Sequence, residues 1–247
     1  MTTFRRAIQV LIVPAATLLF SRSSALVSRT TASSARFMST TNAADDRIIR
    51  ILTLHGSGGN QREFLSSIAP IELSLTEKNI RVELISMNAP IPNGNGFSWW
   101  TYGPEERSST AKKYCGFDES AAMVLGAFER AKVDVVLAHS QGAILVTALL
   151  ALNLIPSHSN ARYLLNGVAW PNPYSNELGS LKLDSAPRVM FVMGERDTIN
   201  PVDGQERVRK CMELAGCNIT VCSHSGGHSL PTNDKAAIEA IIEWIKD

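Results

Sequence analysis

The sequence DVVLAHSQGAILV, residues 134–146, combines an apolar run, a small-x-Ser-x-Gly pentad and a second apolar run. The first run predicts a buried strand, the second predicts a helix, and the pentad predicts a sharp turn with Ser140 at its tip. Such a turn exposes a serine hydroxyl above the carboxyl end of a sheet. Ala138 stands where Gly is usual, and it is still small enough for strand and helix to approach closely. The pentad alone also fits an ordinary strand-to-helix loop. Whether Ser140 is a nucleophile therefore depends on the other residues of the chain.

Composition favours one α/β domain behind a basic leader. The chain has 247 residues, of which 45% are hydrophobic, and this is enough to bury a large core as a single domain. Residues 1–44 hold five Arg and no Lys, Asp or Glu, which leaves 19 basic and 23 acidic side chains in residues 45–247. A mildly acidic body offers no electrostatic reason to expect nucleic acid as a partner.

Residues 1–44 are rich in Arg, Ser, Thr and Ala, the composition of an organelle transit peptide. We therefore predict a targeting leader outside the fold, with mitochondria as its destination and a plastid as an alternative. A secretory signal also remains open, because two Arg precede an apolar stretch at 7–20. That stretch is too short to cross a bilayer of about 30 Å as a helix, so we expect no stable membrane span. A secreted chain would offer a glycosylation acceptor at Asn218, but this residue lies in a predicted buried strand.

Strands and helices alternate throughout residues 45–247. Apolar runs that end in Gly, Pro, Asn or Asp predict buried strands, and a longer period of apolar residues predicts helices. This alternation predicts a mostly parallel central sheet with helices on both faces. Strands are predicted at 47–54, 81–86, 134–138, 163–169, 188–193 and 218–222, and helices at 63–75 (interrupted at Pro70), 118–132 (with Asp118 as N-cap), 141–146, 202–214 and 234–245.

Residues 91–117 show neither the apolar pattern of a strand nor that of a helix. This segment is therefore predicted to be a long loop inserted into the domain. A loop of this length in a compact domain is usually functional or disordered, and the aromatic residues Phe97, Trp99 and Trp100 argue against disorder. We place the loop over the active site, where these rings would line an apolar substrate pocket. Packing of the two tryptophans into the edge of the core is an equally good interpretation.

Three side chains follow three predicted strands and complete a hydrolytic constellation. The carboxyl ends of parallel strands meet at one edge of a sheet, so Ser140, Asp197 and His228 are expected to lie together. A serine hydroxyl becomes a strong nucleophile when an imidazole accepts its proton and a carboxylate orients that imidazole. The chain order Ser, Asp, His is that of α/β-hydrolases and differs from the chymotrypsin and subtilisin orders.

Neighbouring residues compete for two of these roles. Asp203 lies close to Asp197, but a position at the start of the next helix suits a capping role. His224 shares a loop with His228, yet the two glycines before His228 allow the backbone to turn toward Ser140. His139 precedes the serine and is expected to point away from it.

The oxyanion of an acyl-transfer intermediate needs preorganised N–H donors. The backbone N–H groups of Gln141 and Ser57 are the candidates, because the first begins a helix and the second lies in the Gly-rich loop that His55 opens. We also place His55 in the substrate pocket. Neither a GxGxxG nor a GxxxxGK motif is present, and no ligand spacing suggests a metal, so we expect no cofactor and no metal. The four cysteines fit neither a zinc site nor a disulfide scaffold and are expected to be reduced.

These motifs together resemble the FSH ("family of serine hydrolases") branch of the α/β-hydrolases over roughly residues 48–246. The resemblance implies the α/β-hydrolase fold and a carboxylic ester hydrolase or thioesterase that uses Ser140, Asp197 and His228 as nucleophile, acid and base. Relatives often have Phe where this chain has Ser57, which bears on the acyl pocket. The residues that carry the resemblance are Leu54-His55-Gly56, Trp99-Trp100, Ser140-Gln141-Gly142-Ala143, Gly194 to Asp197, and His224 to His228 with Pro231.

The sequence therefore predicts a cofactor-free serine esterase or thioesterase for a small-molecule substrate, with an apolar acyl chain suggested by the aromatic loop. A hydrolase-fold binding protein or receptor with little turnover is the alternative.

Overall fold

A parallel sheet lies at the centre of the protein, as the alternation of strands and helices predicts. The computed structural model describes residues 47–156, 159–183 and 185–247. The strands are β1 (Ile48–Leu54), β2 (Arg81–Ser86), β3 (Ile91–Asn93), β4 (Gly96–Ser98), β5 (Val135–His139), β6 (Arg162–Asn166), β7 (Arg188–Gly194) and β8 (Asn218–His224). Within the described residues, six of them form one sheet in the order β2-β1-β5-β6-β7-β8, and every pair of neighbours in it is parallel.

Helices cover both faces of this sheet. They are α1 (Gln61–Glu77), α2 (Phe117–Arg130), α3 (Gln141–Ala151), α4 (Ser175–Gly179), α5 (Val202–Leu214) and α6 (Lys235–Lys246). On one face, Phe64 of α1 and Ile241 of α6 share a core cluster with Ile51 and Leu137 of the strands. On the other face, α3 contacts β5 and β6, and all 11 of its residues are buried. Burial on every side explains why α3 is apolar around its whole circumference.

Two predicted helix boundaries need correction. Helix α1 continues through Pro70 without interruption, and its N-cap is Asn60, whose side chain accepts a hydrogen bond from Glu63 N at 2.9 Å. Helix α2 begins at Phe117 after Gly116, which has a φ of 86°. Asp118 therefore lies in the first turn, and the prediction that it caps the helix is wrong.

The segment 91–117 contains a short antiparallel hairpin, β3–β4, where the sequence predicts only loop. Strands of three residues are too short to show a period. The hairpin pairs with the Gly-rich loop, because Gly58 N donates to Phe97 O and Phe97 N donates to Gly59 O, both at 2.8 Å. A Cβ atom at Gly96 would lie 2.1 Å from Gly58 O, so this close approach requires glycine.

The remainder of this segment is held by contacts within itself and by hydrogen bonds from Asn172 of the body. Thr101 and Cys115 exchange two backbone hydrogen bonds of 3.0 and 2.9 Å. The Trp100 ring stacks on Tyr114 with 4.3 Å between ring centroids. Asn172 Nδ2 donates to the carbonyl oxygens of Thr110 and Ala111 at 3.2 and 3.1 Å.

Several smaller expectations are tested by the fold. The four cysteines are free thiols, as predicted. Strand β8 is an edge strand and Asn218 is exposed, so the expectation that this residue is buried is wrong. No helix in the described ranges is both long and apolar enough to span a membrane. The predicted leader at 1–44 lies outside the described residues and stays a prediction, as does the division of the chain at residue 45.

Candidate active site

Ser140 occupies the predicted sharp turn between β5 and α3. Its φ of 52° and ψ of −117° are strained values for a non-glycine residue. Its backbone N–H donates to Asn166 O at 2.9 Å, which fixes the turn against β6. A Cβ atom at Gly142 would lie 2.6 Å from Leu54 O, so only glycine lets α3 start this close to β1.

The structure brings the three predicted side chains together at the carboxyl edge of the sheet. His228 Nε2 lies 2.8 Å from Ser140 Oγ, and His228 Nδ1 lies 2.7 Å from Asp197 Oδ2. Because a carboxylate accepts hydrogen bonds, the proton of the imidazole is on Nδ1 and Nε2 is free to accept from the serine hydroxyl. The arrangement can therefore remove a proton from Ser140.

The Asp197 carboxylate is fully enclosed and held by hydrogen bonds to both oxygens. Oδ1 accepts from the backbone N–H groups of Ile199 and Asn200 at 2.9 and 2.8 Å. Oδ2 accepts from Gln205 Nε2 at 3.2 Å in addition to His228. The sequence analysis did not identify Gln205 as a partner of Asp197. This residue lies in helix α5, and only the tertiary fold buries it beside the carboxylate.

Two glycines, of which Gly167 lies outside the motifs, make room for His228. A Cβ atom at Gly194 would lie 2.0 Å from Gly227 O, so the end of β7 needs glycine to let the His228 loop approach. Gly167 has a φ of 58°, and a Cβ there would lie 2.8 Å from His228 Cε1. Gly194 closes a strand in the sequence, but no local signal marks Gly167 as a neighbour of the imidazole.

Asp203 and His224, the alternatives for the acid and the base, take no part in the contacts that join Asp197, His228 and Ser140. Asp203 lies in the first turn of α5. Strand β8 extends to His224, two residues beyond the predicted end, and the His224 ring accepts a hydrogen bond from Gly226 N at 3.2 Å. Burial lowers the pKa of His224.

His139 lies against the site, contrary to the expectation that it points away. Its ring centroid is 4.9 Å from that of His228 and 6.1 Å from that of Phe64. Burial, together with repulsion by His228, lowers the pKa of His139 to about 3, so the ring is neutral. Asn166 Nδ2 lies 2.8 Å from His139 Nδ1 and also donates to His228 O at 3.0 Å. Asn166 thus joins both histidines, a role that the sequence does not reveal.

One predicted oxyanion donor, Gln141, directly follows the serine, and the other, Ser57, lies in the Gly-rich loop. The Gly-rich loop touches the turn, because a Cβ at Gly56 would lie 3.2 Å from Ser140 Cβ. In the described part of the chain, the backbone N–H groups of Ser57 and Gln141 have no hydrogen-bond acceptor. The Gln141 side chain accepts from Trp99 N at 2.8 Å and donates to Trp100 O at 3.0 Å. These bonds fix the start of α3 to the inserted segment.

A cavity of about 450 Å³ opens beside these groups. His55 lies on its wall in a fixed tautomer, because its Nδ1 donates to Gly56 O at 2.7 Å and its Nε2 accepts from Ala89 N at 3.0 Å. Burial lowers the pKa of this imidazole. Trp99 and Trp100 are only 0% and 1% exposed, so they fill the core and do not line the pocket. The Phe97 side chain is not part of the cavity wall either.

Comparison with known proteins places the chain in a family. A sequence profile of the family described as Serine hydrolase (FSH1) matches residues 45–240. The chain belongs to the FSH1 serine hydrolase family. This serine hydrolase is also 28% identical over 221 residues to Esterase OVCA2 from Xenopus tropicalis, an alignment that covers 78% of the chain and 90% of that protein. The resemblance drawn from the motifs is thereby confirmed.

Solved structures confirm that the FSH1-family chain has the α/β-hydrolase fold. Esterase PE8 matches with a TM-score of 0.64 and 16% identity over 80% of this chain and 91% of that one. The Bacillus cereus carboxylesterase matches with a TM-score of 0.56 and 19% identity over 80% and 87%. Zea mays acyl-protein thioesterase 2 matches with a TM-score of 0.56 and 16% identity over 80% and 92%.

Proposed function

We propose that this serine hydrolase cleaves carboxylic esters or thioesters of small molecules through an acyl-enzyme on Ser140. One observation carries the proposal: a continuous series of short contacts runs from Asp197 through His228 to a serine in a strained turn. The relationship to Esterase OVCA2 supports ester hydrolysis as the type of reaction.

The geometry supports a two-step mechanism. His228 Nε2 takes the hydroxyl proton as Ser140 Oγ attacks the carbonyl carbon, and the imidazolium then protonates the departing alcohol or thiol. In the second step, His228 removes a proton from water, which attacks the acyl-enzyme and releases the acid. Asp197 stabilises the imidazolium and holds its Nδ1–H, and its other hydrogen bonds keep the carboxylate in place.

The backbone N–H groups of Ser57 and Gln141 are proposed to bind the oxyanion in both steps. Gln141 directly follows Ser140 and begins helix α3, whose N-terminal dipole favours a negative charge. Ser57 follows Gly56, where a Cβ atom would lie 3.2 Å from Ser140 Cβ. Oxyanion donors of this kind contribute about 3–4 kcal/mol to the stability of a transition state.

Turnover of p-nitrophenyl butyrate and of butyryl thiocholine tests the proposal. Ser140→Ala should remove more than 99% of the activity toward whichever substrate is cleaved, because no nucleophile remains. Ser66→Ala, which changes an exposed serine on α1, serves as the matched control and should retain full activity. Turnover by Ser140→Ala equal to that of the control would refute the assignment, and the two substrates separate an esterase from a thioesterase.

We further propose that residues 1–44 direct the protein to mitochondria, on the basis of their Arg-rich and acid-free composition. A fluorescent protein fused behind residues 1–44 should enter mitochondria. Accumulation in plastids or secretion of the fusion would contradict this destination.

A further inference from the structure

The cavity beside Ser140 is built from neighbours of the proposed catalytic groups. His139 directly precedes Ser140, Ser229 directly follows His228, and Ser57 is a proposed oxyanion donor; all three line the cavity. Gly56 lines it as well, and a Cβ atom there would lie 3.2 Å from Ser140 Cβ, so a group of the substrate that extends from a carbonyl at Ser140 has this space within reach.

The wall of this cavity combines apolar surface with polar side chains. Phe64 and Leu230 supply its larger apolar surfaces, and both also belong to the core cluster. In the described part of the chain, the hydroxyls of Ser229 and Thr232 and the side-chain nitrogen of Asn60 have no hydrogen-bond partner. These groups are free to bind oxygen atoms of a ligand. An alkyl chain could contact the apolar part of the wall, but it would separate these polar groups from water without replacing their hydrogen bonds.

His139 contributes a donor of fixed position to the same wall. Its Nδ1 accepts from Asn166 Nδ2, an amide nitrogen whose identity is fixed by its second bond to the carbonyl of His228. The neutral His139 ring therefore carries its proton on Nε2. This atom lies near the Gly-rich loop, since a Cβ at Gly56 would be 3.4 Å from it. Among the described residues no acceptor for this N–H is found, and the mechanism does not use it.

We infer that the cavity binds a short, uncharged substrate group bearing a hydroxyl or carbonyl oxygen, and that His139 Nε2–H donates a hydrogen bond to this oxygen. The inference rests on the proposed function and adds the class of substrate. It also replaces the apolar acyl chain that the aromatic loop suggests, because Trp99 and Trp100 lie in the core. Glu63 at the rim carries a negative charge, which disfavours substrates with a second carboxylate.

Matched esters test this inference, with release of acid measured by titration at constant pH. One comparison places the hydroxyl in the acyl group, with methyl 3-hydroxybutyrate against methyl butyrate. A second places it in the alcohol, with 2-hydroxyethyl butyrate against ethyl butyrate, and methyl dodecanoate represents long alkyl chains. We expect kcat/KM to favour the hydroxylated member of one pair by about tenfold, the effect of one good hydrogen bond.

Two variants of His139 separate the hydrogen bond from the shape of the ring. His139→Phe keeps a planar ring and loses the donor, so the preference for the hydroxylated ester should fall to within about twofold of unity. His139→Gln keeps an N–H at a similar distance from the backbone and should retain most of the preference. The rate of labelling by a fluorophosphonate probe shows for each variant whether the serine remains activated.

A wild-type enzyme that prefers methyl dodecanoate to every hydroxylated ester would overturn the inference, and so would a preference that persists in His139→Phe. In both cases labelling by the probe leaves the proposed function standing. Failure of the wild type to react with the probe and with all five esters would overturn the proposed function and this inference with it.

Discussion

At the scale of single residues, the proposed mechanism depends on the proton of His228 being on Nδ1. The Asp197 carboxylate accepts this proton's hydrogen bond at 2.7 Å, which leaves Nε2 as an acceptor for Ser140. The other bonds to Asp197 come from Ile199, Asn200 and Gln205 and fix which oxygen faces the imidazole.

Asp197→Asn tests this dependence. The amide oxygen of Asn can replace Oδ1 as acceptor for the two backbone N–H groups, so its NH₂ group would face His228 and force the proton onto Nε2. We expect kcat to fall by roughly 10³- to 10⁴-fold with the fold retained. Asp203→Asn is the matched control on α5 and should keep wild-type kcat. Equal loss in both variants, measured with p-nitrophenyl butyrate, would contradict the assignment of Asp197.

The sequence predicts some of these residues and not others, for a physical reason. Ser140, Asp197 and His228 each follow a predicted strand, and parallel strands bring their ends to one edge whatever the details of packing. Asn166 and Gly167 contact His228 from the carboxyl end of β6, and the Asn166 contact spans 62 residues of sequence. Such contacts depend on the register of β6 against β5 and β7, which local patterns do not fix.

At the scale of elements, α1 is a helix of 17 residues with a proline in its interior. Pro70 lacks the N–H that would bond the preceding turn, and its ring crowds a carbonyl of that turn. The helix is nonetheless continuous, because Phe64, Ile68, Ile71 and Leu75 are all buried against the sheet or α6. Tertiary packing here overrides the local preference that led the sequence to predict an interruption.

Pro70→Ala should therefore stabilise the protein. Restoring the backbone N–H is expected to raise the free energy of unfolding by about 1–3 kcal/mol, measured by urea denaturation. The Ser74 hydroxyl bonds to the carbonyl of residue 70, an interaction that the substitution preserves. A lower free energy of unfolding would instead mean that a bend at Pro70 is needed for α1 to pack.

The elements that the sequence fails to predict are those with no periodic signal. The hairpin β3–β4 exists because its backbone pairs with the Gly-rich loop, and Gly96 permits a distance that no other residue allows. Trp99 and Trp100 fit a pocket or a core equally well by composition, since both environments are apolar. In the structure both are buried, and the Gln141 side chain bonds to the backbone of both.

At the scale of the whole molecule, buried histidines make stability depend on pH. The pKa values of His55, His139 and His224 are all lowered, chiefly by burial. Each ring is harder to protonate in the folded protein than in the unfolded chain, which takes up protons below a pKa of about 6.5. Stability from these groups is therefore complete above pH 6.5 and is lost as the pH falls toward the folded pKa, about 3 for His139.

The variant His139→Phe measures how much His139 contributes to the pH dependence of the unfolding free energy. Between pH 7 and pH 5 the unfolded chain gains about 2 kcal/mol from protonation of one such histidine. The wild type should therefore lose about 2 kcal/mol more of its unfolding free energy over this interval than the variant loses. Urea denaturation at both pH values gives the comparison, and parallel losses in the two proteins would show that His139 is protonated in the folded state.

The most direct test of the catalytic assignment is the site of covalent labelling by a fluorophosphonate, found by mass spectrometry of peptides from the full-length protein. The probe reacts quickly only with a serine whose proton an adjacent base accepts. A single adduct on Ser140 in the wild type, and its loss in His228→Asn, is the predicted result. An unlabelled Ser140, or labelling at the same rate without the imidazole, would contradict it.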